Sequence, residues 1–178
     1  LASTDQWFRP MNLRVGPDGA LYIVDMYREI IEDYSAVPRF LQQQYGLNKG
    51  KEYGRIWRLR HKGKALALKE NPGKATVKEL AQVLADDNPW RRSTAQRVLI
   101  ERKDRSARDP LVRLIQDEGV APSGVIRALQ TLRSLKSLEC SEVLVALNHE
   151  DHGVRVHGLR LAGPWLDSDE ALRSQLIR

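Results

Sequence analysis

Cysteine is nearly absent from this sequence: Cys140 stands alone among 178 residues. An internal disulfide is therefore excluded, as are Cys-x-x-Cys zinc sites and a Cys-x-x-Cys-His haem attachment. Long apolar runs are missing too. No stretch approaches the roughly 20 residues of a membrane span, and Leu1-Ala2-Ser3-Thr4-Asp5 lacks the charged and apolar blocks of a signal peptide. The composition is 42% hydrophobic and 29% charged, enough apolar material for a packed core and too much for a disordered chain. The start within what reads as a strand approach, and the stop inside a helical pattern at Leu172–Arg178, suggest a fragment of a longer protein.

A net charge of +6 invites a nucleic-acid reading, but its distribution argues against one. Residues 1–60 carry nine basic and seven acidic groups, residues 61–74 four and one, and residues 75–178 sixteen and fifteen. Half the excess lies around Lys62, Lys64, Lys69 and Lys74, and neither flanking half has the surplus to neutralise several phosphates. Nucleic acid is not an expected partner.

Nine of the eleven aromatic residues precede position 61, whereas Leu, Ala, Val, Arg and Glu dominate afterwards. This change of alphabet predicts two domains, 1–60 and 75–178, joined by a Gly- and Pro-broken linker over 61–74. In the first, Met11–Val15 alternates apolar and polar residues, Gly16-Pro17-Asp18-Gly19 carries turn chemistry, and Ala20–Val24 returns as a strand apolar enough to be covered on both faces. Arg55–Arg60 alternates again, which completes a three-stranded antiparallel sheet interrupted by an excursion over 26–53.

The second half reads as paired helices. Val77, Leu80, Ala81 and Leu84 recur at helical spacing, and Asp87-Asn88-Pro89 stops one helix and starts another. The cycle returns at Pro122 and His152, a period of 33 and then 30 residues, as in a stack of two-helix repeats. Ile126-Arg127-Ala128 and Val154-Arg155 with Gly158 resemble the second helix of the HEAT family, and Trp90-Arg91-Arg92 with Ala95 does so more loosely.

Pro10-Met11-Asn12-Leu13, Gly16–Asp25 and Gly54-Arg55-Ile56-Trp57-Arg58 together resemble one blade of a β-propeller, and are similar to the glucose/sorbosone dehydrogenase family. With Trp7-Phe8-Arg9, Met26-Tyr27-Arg28-Glu29 and the helical repeats behind, the order resembles the large membrane-bound dehydrogenases of planctomycetes and verrucomicrobia. The resemblance implies a mixed fold: the last antiparallel blade of a propeller, then an α-solenoid of HEAT-like repeats. It implies a sugar or alcohol dehydrogenase of the periplasm or cell envelope, with pyrroloquinoline quinone in the parent protein and haem c in a C-terminal domain beyond this chain. The fragment itself would hold no cofactor and be inactive, with a sugar substrate and a protein partner for the helical surface expected of the parent.

On that reading Arg9 and Arg28 are the candidates to bind the quinone, since a guanidinium fork pairs with carboxylate in a bidentate way. Asp25, Tyr27 and Arg55 are expected to line the channel or organise the loop. No general base is identifiable, and no metal site is expected: His149, His152 and His157 straddle a turn rather than sharing one helix face. Cys140 reads as a small core residue, and Arg91, Arg92, Arg97 and Arg102 as a solvated face. Two other readings stand beside the enzyme: a non-catalytic protein that binds a polysaccharide or a protein, and a structural adaptor.

Overall fold

A computed structural model describes residues 2–29, 37–46, 49–63 and 71–176. The chain divides into two compact units, Leu1–Lys69 and Glu70–Arg178. Half of the expected linker, residues 64–70, lies outside the described residues, as do residues 177 and 178 of the last helical pattern.

The first unit is built on β1 (Pro10–Val15), β2 (Leu21–Asp25) and β3 (Arg55–Leu59), antiparallel in the order β1-β2-β3. The register sets Leu13 against Ile23 and Trp57, and Arg14 against Tyr22 and Arg58, with an irregularity between Pro10 and Asn12. At the hairpin, the Gly16 and Ala20 backbones bond at 2.9 Å while Gly19 takes φ 78°, a conformation open to glycine at no steric cost. Within the excursion, α1 (Arg39–Tyr45) is one short helix. The chain returns to the sheet at Gly50, whose φ is 92° and where a Cβ would fall 2.6 Å from the Tyr27 carbonyl oxygen. Among the described residues of this unit, Ile23 is the one large apolar side chain fully buried.

The second unit is helical: α2 (Val77–Val83), α3 (Pro89–Arg102), α4 (Arg108–Gln116), α5 (Pro122–Ser134), α6 (Cys140–Leu147), α7 (His152–Leu161) and α8 (Glu170–Leu176). Sequence-local chemistry starts several of these helices. Thr76 and Glu79 form a reciprocal capping box on α2, Asn88 caps α3 ahead of Pro89, and Asp151 caps α7. Helices pack as α2 with α3, α4 with α5 and α6 with α7, and like members of successive pairs also touch. One continuous core runs through them, from Leu80, Leu84 and Leu99 through Leu111, Leu129 and Leu132 to Val143 and Leu172. Gly158 lets α7 lie close on α6: a Cβ there would stand 3.0 Å from the Ala146 Cβ.

Arginines close the turns. Arg92 donates to the Asp86 and Asp87 carbonyls at 2.6 and 3.0 Å, Arg155 to those of His149 and Glu150 at 2.8 and 2.6 Å, and Arg173 to those of Leu166 and Asp167 at 3.1 and 2.9 Å. Each guanidinium lies four residues after an Asn or Asp whose side chain accepts from the first turn of the helix, at Asn88, Asp151 and Asp169. Carbonyls that a turn would otherwise leave to water thereby gain fixed donors.

The expected fold class does not hold. The strands make a small open sheet, not a sector of a closed ring, and the rest is a small α-rich unit with one shared core rather than a propeller blade followed by a solenoid. The three strands leave both edges of the sheet without a strand partner among the described residues, and the short helices bury their apolar faces in a single shared cluster. Nor is β2 covered on both faces, since Val24 is 42% exposed. The arginine face also differs from expectation. Arg97 is solvated, paired with Glu101 at 3.7 Å, but Arg91 pairs with Asp86 at 2.9 Å, Arg92 closes a turn, and Arg102 donates to the Ala75 and Gly73 carbonyls at 2.7 and 2.9 Å.

Candidate functional site

Asp25 ends β2 and is buried, so every lone pair it keeps from water needs a donor. Its Oδ1 accepts from the backbone N–H of Arg9 at 2.8 Å and of Tyr27 at 3.0 Å, and its Oδ2 from the Trp57 indole at 3.0 Å. The Arg55 guanidinium stands 3.8 Å away. Burial alone would raise the Asp25 pKa, but the Trp57, Arg9 and Tyr27 hydrogen bonds and the Arg55 charge outweigh it and hold the carboxyl below its ordinary value. The antiparallel register brings this about: Asp25 faces Arg55 directly, and Trp57 lies two residues further along the same face.

An aromatic cluster surrounds that carboxylate. Tyr27 meets Trp7 edge-on at 5.6 Å and Tyr53 at 6.1 Å, and the Arg55 guanidinium lies 3.7 Å over the Tyr27 ring and 5.4 Å from Trp57. Tyr27 takes φ 51°, a left-handed backbone unusual for a bulky residue, and the Asp25 bond to its N–H fixes it there. Asp25, Tyr27 and Arg55 thus come together, with loop-organising geometry.

Arg9 and Arg28 are placed differently. Arg9 donates to the carbonyls of Gln6, Phe8 and Glu29, and Arg28 to those of Met26 and Tyr27. Arg9 spends both terminal nitrogens on backbone carbonyls and so holds out no free terminal pair for a quinone carboxylate, whereas Arg28 bonds its two carbonyls through one nitrogen, Nη1. A second buried carboxylate escapes the sequence reading: Asp18 accepts from the Ala20 N–H at 3.0 Å, from the Tyr22 hydroxyl at 3.1 Å and from the Arg58 guanidinium. Desolvation works against its charge, but those donors prevail and lower its pKa. The pairing of Tyr22 with Arg58 in the register was the signal for it.

Beyond these clusters the sheet presents apolar side chains on both faces. Leu13 (48% exposed), Trp57 (44%) and Leu59 lie on one face, Val24 and Ile56 (67%) on the other. No described element beyond β2 hydrogen-bonds to β1 or to β3 within the sheet. Residues 1–63 match a family described as a domain of unknown function (DUF7133). This segment carries the whole sheet, both carboxylate clusters and the aromatic group, and amounts to about a third of the chain. No curated protein and no solved structure matches the chain.

The histidines do not converge: His149 accepts from the Asp151 N–H, His157 meets Gln130 across helices, and His152 opens α7. Among the described residues no three His, Cys, Asp or Glu side chains are grouped to hold a metal ion. Burial and an Asp169 hydrogen bond push the Cys140 thiol up to about 11, which leaves it a poor nucleophile. No described helix is long and apolar enough to cross a membrane.

Proposed function

We propose that the protein is a non-catalytic binding protein that docks a polypeptide partner on its open sheet. The observation carrying this is the pair of exposed apolar faces around Leu13, Trp57, Leu59, Val24 and Ile56 on a sheet with two open edges. Such a surface costs solvation free energy in water and is what strand addition and interface anchoring use. Arg55 and Arg58 are neutralised by Asp25 and Asp18, whereas Arg14 and Arg60 have no acidic partner among the described residues. The complementary partner is an apolar strand flanked by Asp or Glu. The two buried carboxylates serve this role by holding Trp57, Arg55 and Arg58 in fixed positions before the partner arrives. A polysaccharide is a poorer fit, because aliphatic side chains on both faces offer it few polar groups to bond.

The dehydrogenase reading draws no support from Arg9, whose two terminal nitrogens are spent on carbonyls. The two functions separate in one experiment. A photo-crosslinking residue is placed at Ile56 and, as a control, at solvated Glu101, and the full chain is irradiated in its native cells. Binding predicts one recurrent crosslinked protein from Ile56, lost on Leu13→Asp and absent from Glu101. Equal, unspecific crosslinking at both positions, or tight uptake of pyrroloquinoline quinone abolished by Arg9→Ala, would refute it.

A further inference from the structure

We propose that the helical unit carries a separate binding pocket for an acidic peptide segment, set between the C-terminal ends of α5 and α7. A cavity of about 260 Å³ there is walled by Leu138, Pro164 and Trp165 and rimmed by Arg133, Lys136 and Arg160. The rim cations have no carboxylate partner among the described residues. Two acidic groups near this end of the unit are engaged elsewhere. Glu139 pairs with Arg108 at 2.7 Å, and Asp169 accepts from the Leu172 N–H at 2.9 Å and bonds Cys140.

Cations at helix C-termini complement the helix dipole, which accounts for some positive charge but not for a cavity with an indole in its wall. The backbone adds a further observation. Lys136 takes φ 55° just beyond α5, with its N–H bonded to the Arg133 carbonyl at 3.0 Å and the Ser137 N–H to the Leu132 carbonyl at 3.0 Å. That is a helix-ending turn in which glycine is the favoured residue. A lysine there accepts local strain and delivers an ammonium to the rim.

Size and lining select the ligand class. The volume suits one aromatic or branched side chain against Trp165 and Pro164, with neighbouring Asp or Glu carboxylates reaching Arg133 and Arg160 in fork geometry. A nucleic-acid strand fits less well. Residues 75–178 carry sixteen basic and fifteen acidic groups, so there is no extended positive track for a phosphate backbone.

The test uses a fluorescein-labelled Gly-Asp-Glu-Phe-Glu-Gly peptide, its isosteric Gly-Asn-Gln-Phe-Gln-Gly control and a labelled oligo-dT, each titrated by anisotropy against the full chain. The acidic peptide is expected to bind at least about tenfold more tightly than the amide control, and to weaken as salt rises. Arg133→Gln and Arg160→Gln should each lose about fivefold, with the circular dichroism spectrum unchanged. Lys136→Gly, which keeps the fold by relieving the backbone, should weaken binding while raising thermal stability. Equal affinity for the two peptides, tighter binding of oligo-dT, or full affinity in Arg160→Gln would overturn the proposal.

Discussion

Replacing Asp25 with Ala removes the one acceptor shared by three donors: the N–H groups of Arg9 and Tyr27 and the indole of Trp57. Each donor left without its partner costs about 1 kcal/mol when water can partly reach it, so the loss should be about 3 kcal/mol. A unit this small is held by a net of roughly 3–5 kcal/mol, so most of its stability would go. The assay is amide hydrogen exchange read by mass spectrometry over residues 10–25 and 55–59, because it reports the sheet separately from the helical unit. Protection there should collapse while residues 125–132 keep theirs. Asp25→Asn retains an acceptor but not the charge, and should cost less. The pH dependence has a definite sign: a carboxyl held below its unfolded value stabilises fully above about pH 4, and that contribution disappears as pH falls through the folded pKa. The gap between wild type and Asp25→Asn should therefore close on acidification. A loss below about 1 kcal/mol for Asp25→Ala would refute the claim that this carboxylate organises the site.

Arg155→Ala deletes two donors to turn carbonyls and should lower the stability of the helical unit by about 1 kcal/mol in urea melts; no change would mean those bonds merely replace water. Gly158→Val forces a branched side chain against Ala146 and should cost about 2 kcal/mol, seen as a lower melting temperature; an unchanged transition would show that α6 and α7 can move apart freely. Lys136→Gly should gain up to about 1 kcal/mol by removing a left-handed non-glycine residue. Cys140, half-buried and with its thiol pushed up to about 11, should react with iodoacetamide at pH 7.5 far more slowly than free cysteine, and rapid labelling would contradict that raised pKa.

Local chemistry was legible in the sequence, and closure was not. Gly16-Pro17-Asp18-Gly19 announces the hairpin, and Pro89, Pro122 and His152 are each the first residue of a helix. Those signals act over a few residues, where capping and turn geometry dominate. Whether three strands belong to a ring depends on partners outside the segment, and alternation along one strand carries nothing about that. For the same reason Arg9 reads as a free fork: its carbonyl acceptors include Glu29, twenty residues away, and a loop must fold before the pairing exists. Arg92 read as solvated because its acceptors are backbone atoms, which every sequence possesses. The cluster of Arg133, Arg160 and Trp165 was invisible because those residues meet only when two helix ends come together.

Binding through the sheet requires that another polypeptide cover it. Hydrogen exchange over residues 55–59, compared between protein recovered natively with its crosslinked partner and the same protein stripped of it, measures that directly. A covering partner predicts strong added protection on this edge strand in the assembled form. Identical exchange in both forms would contradict it.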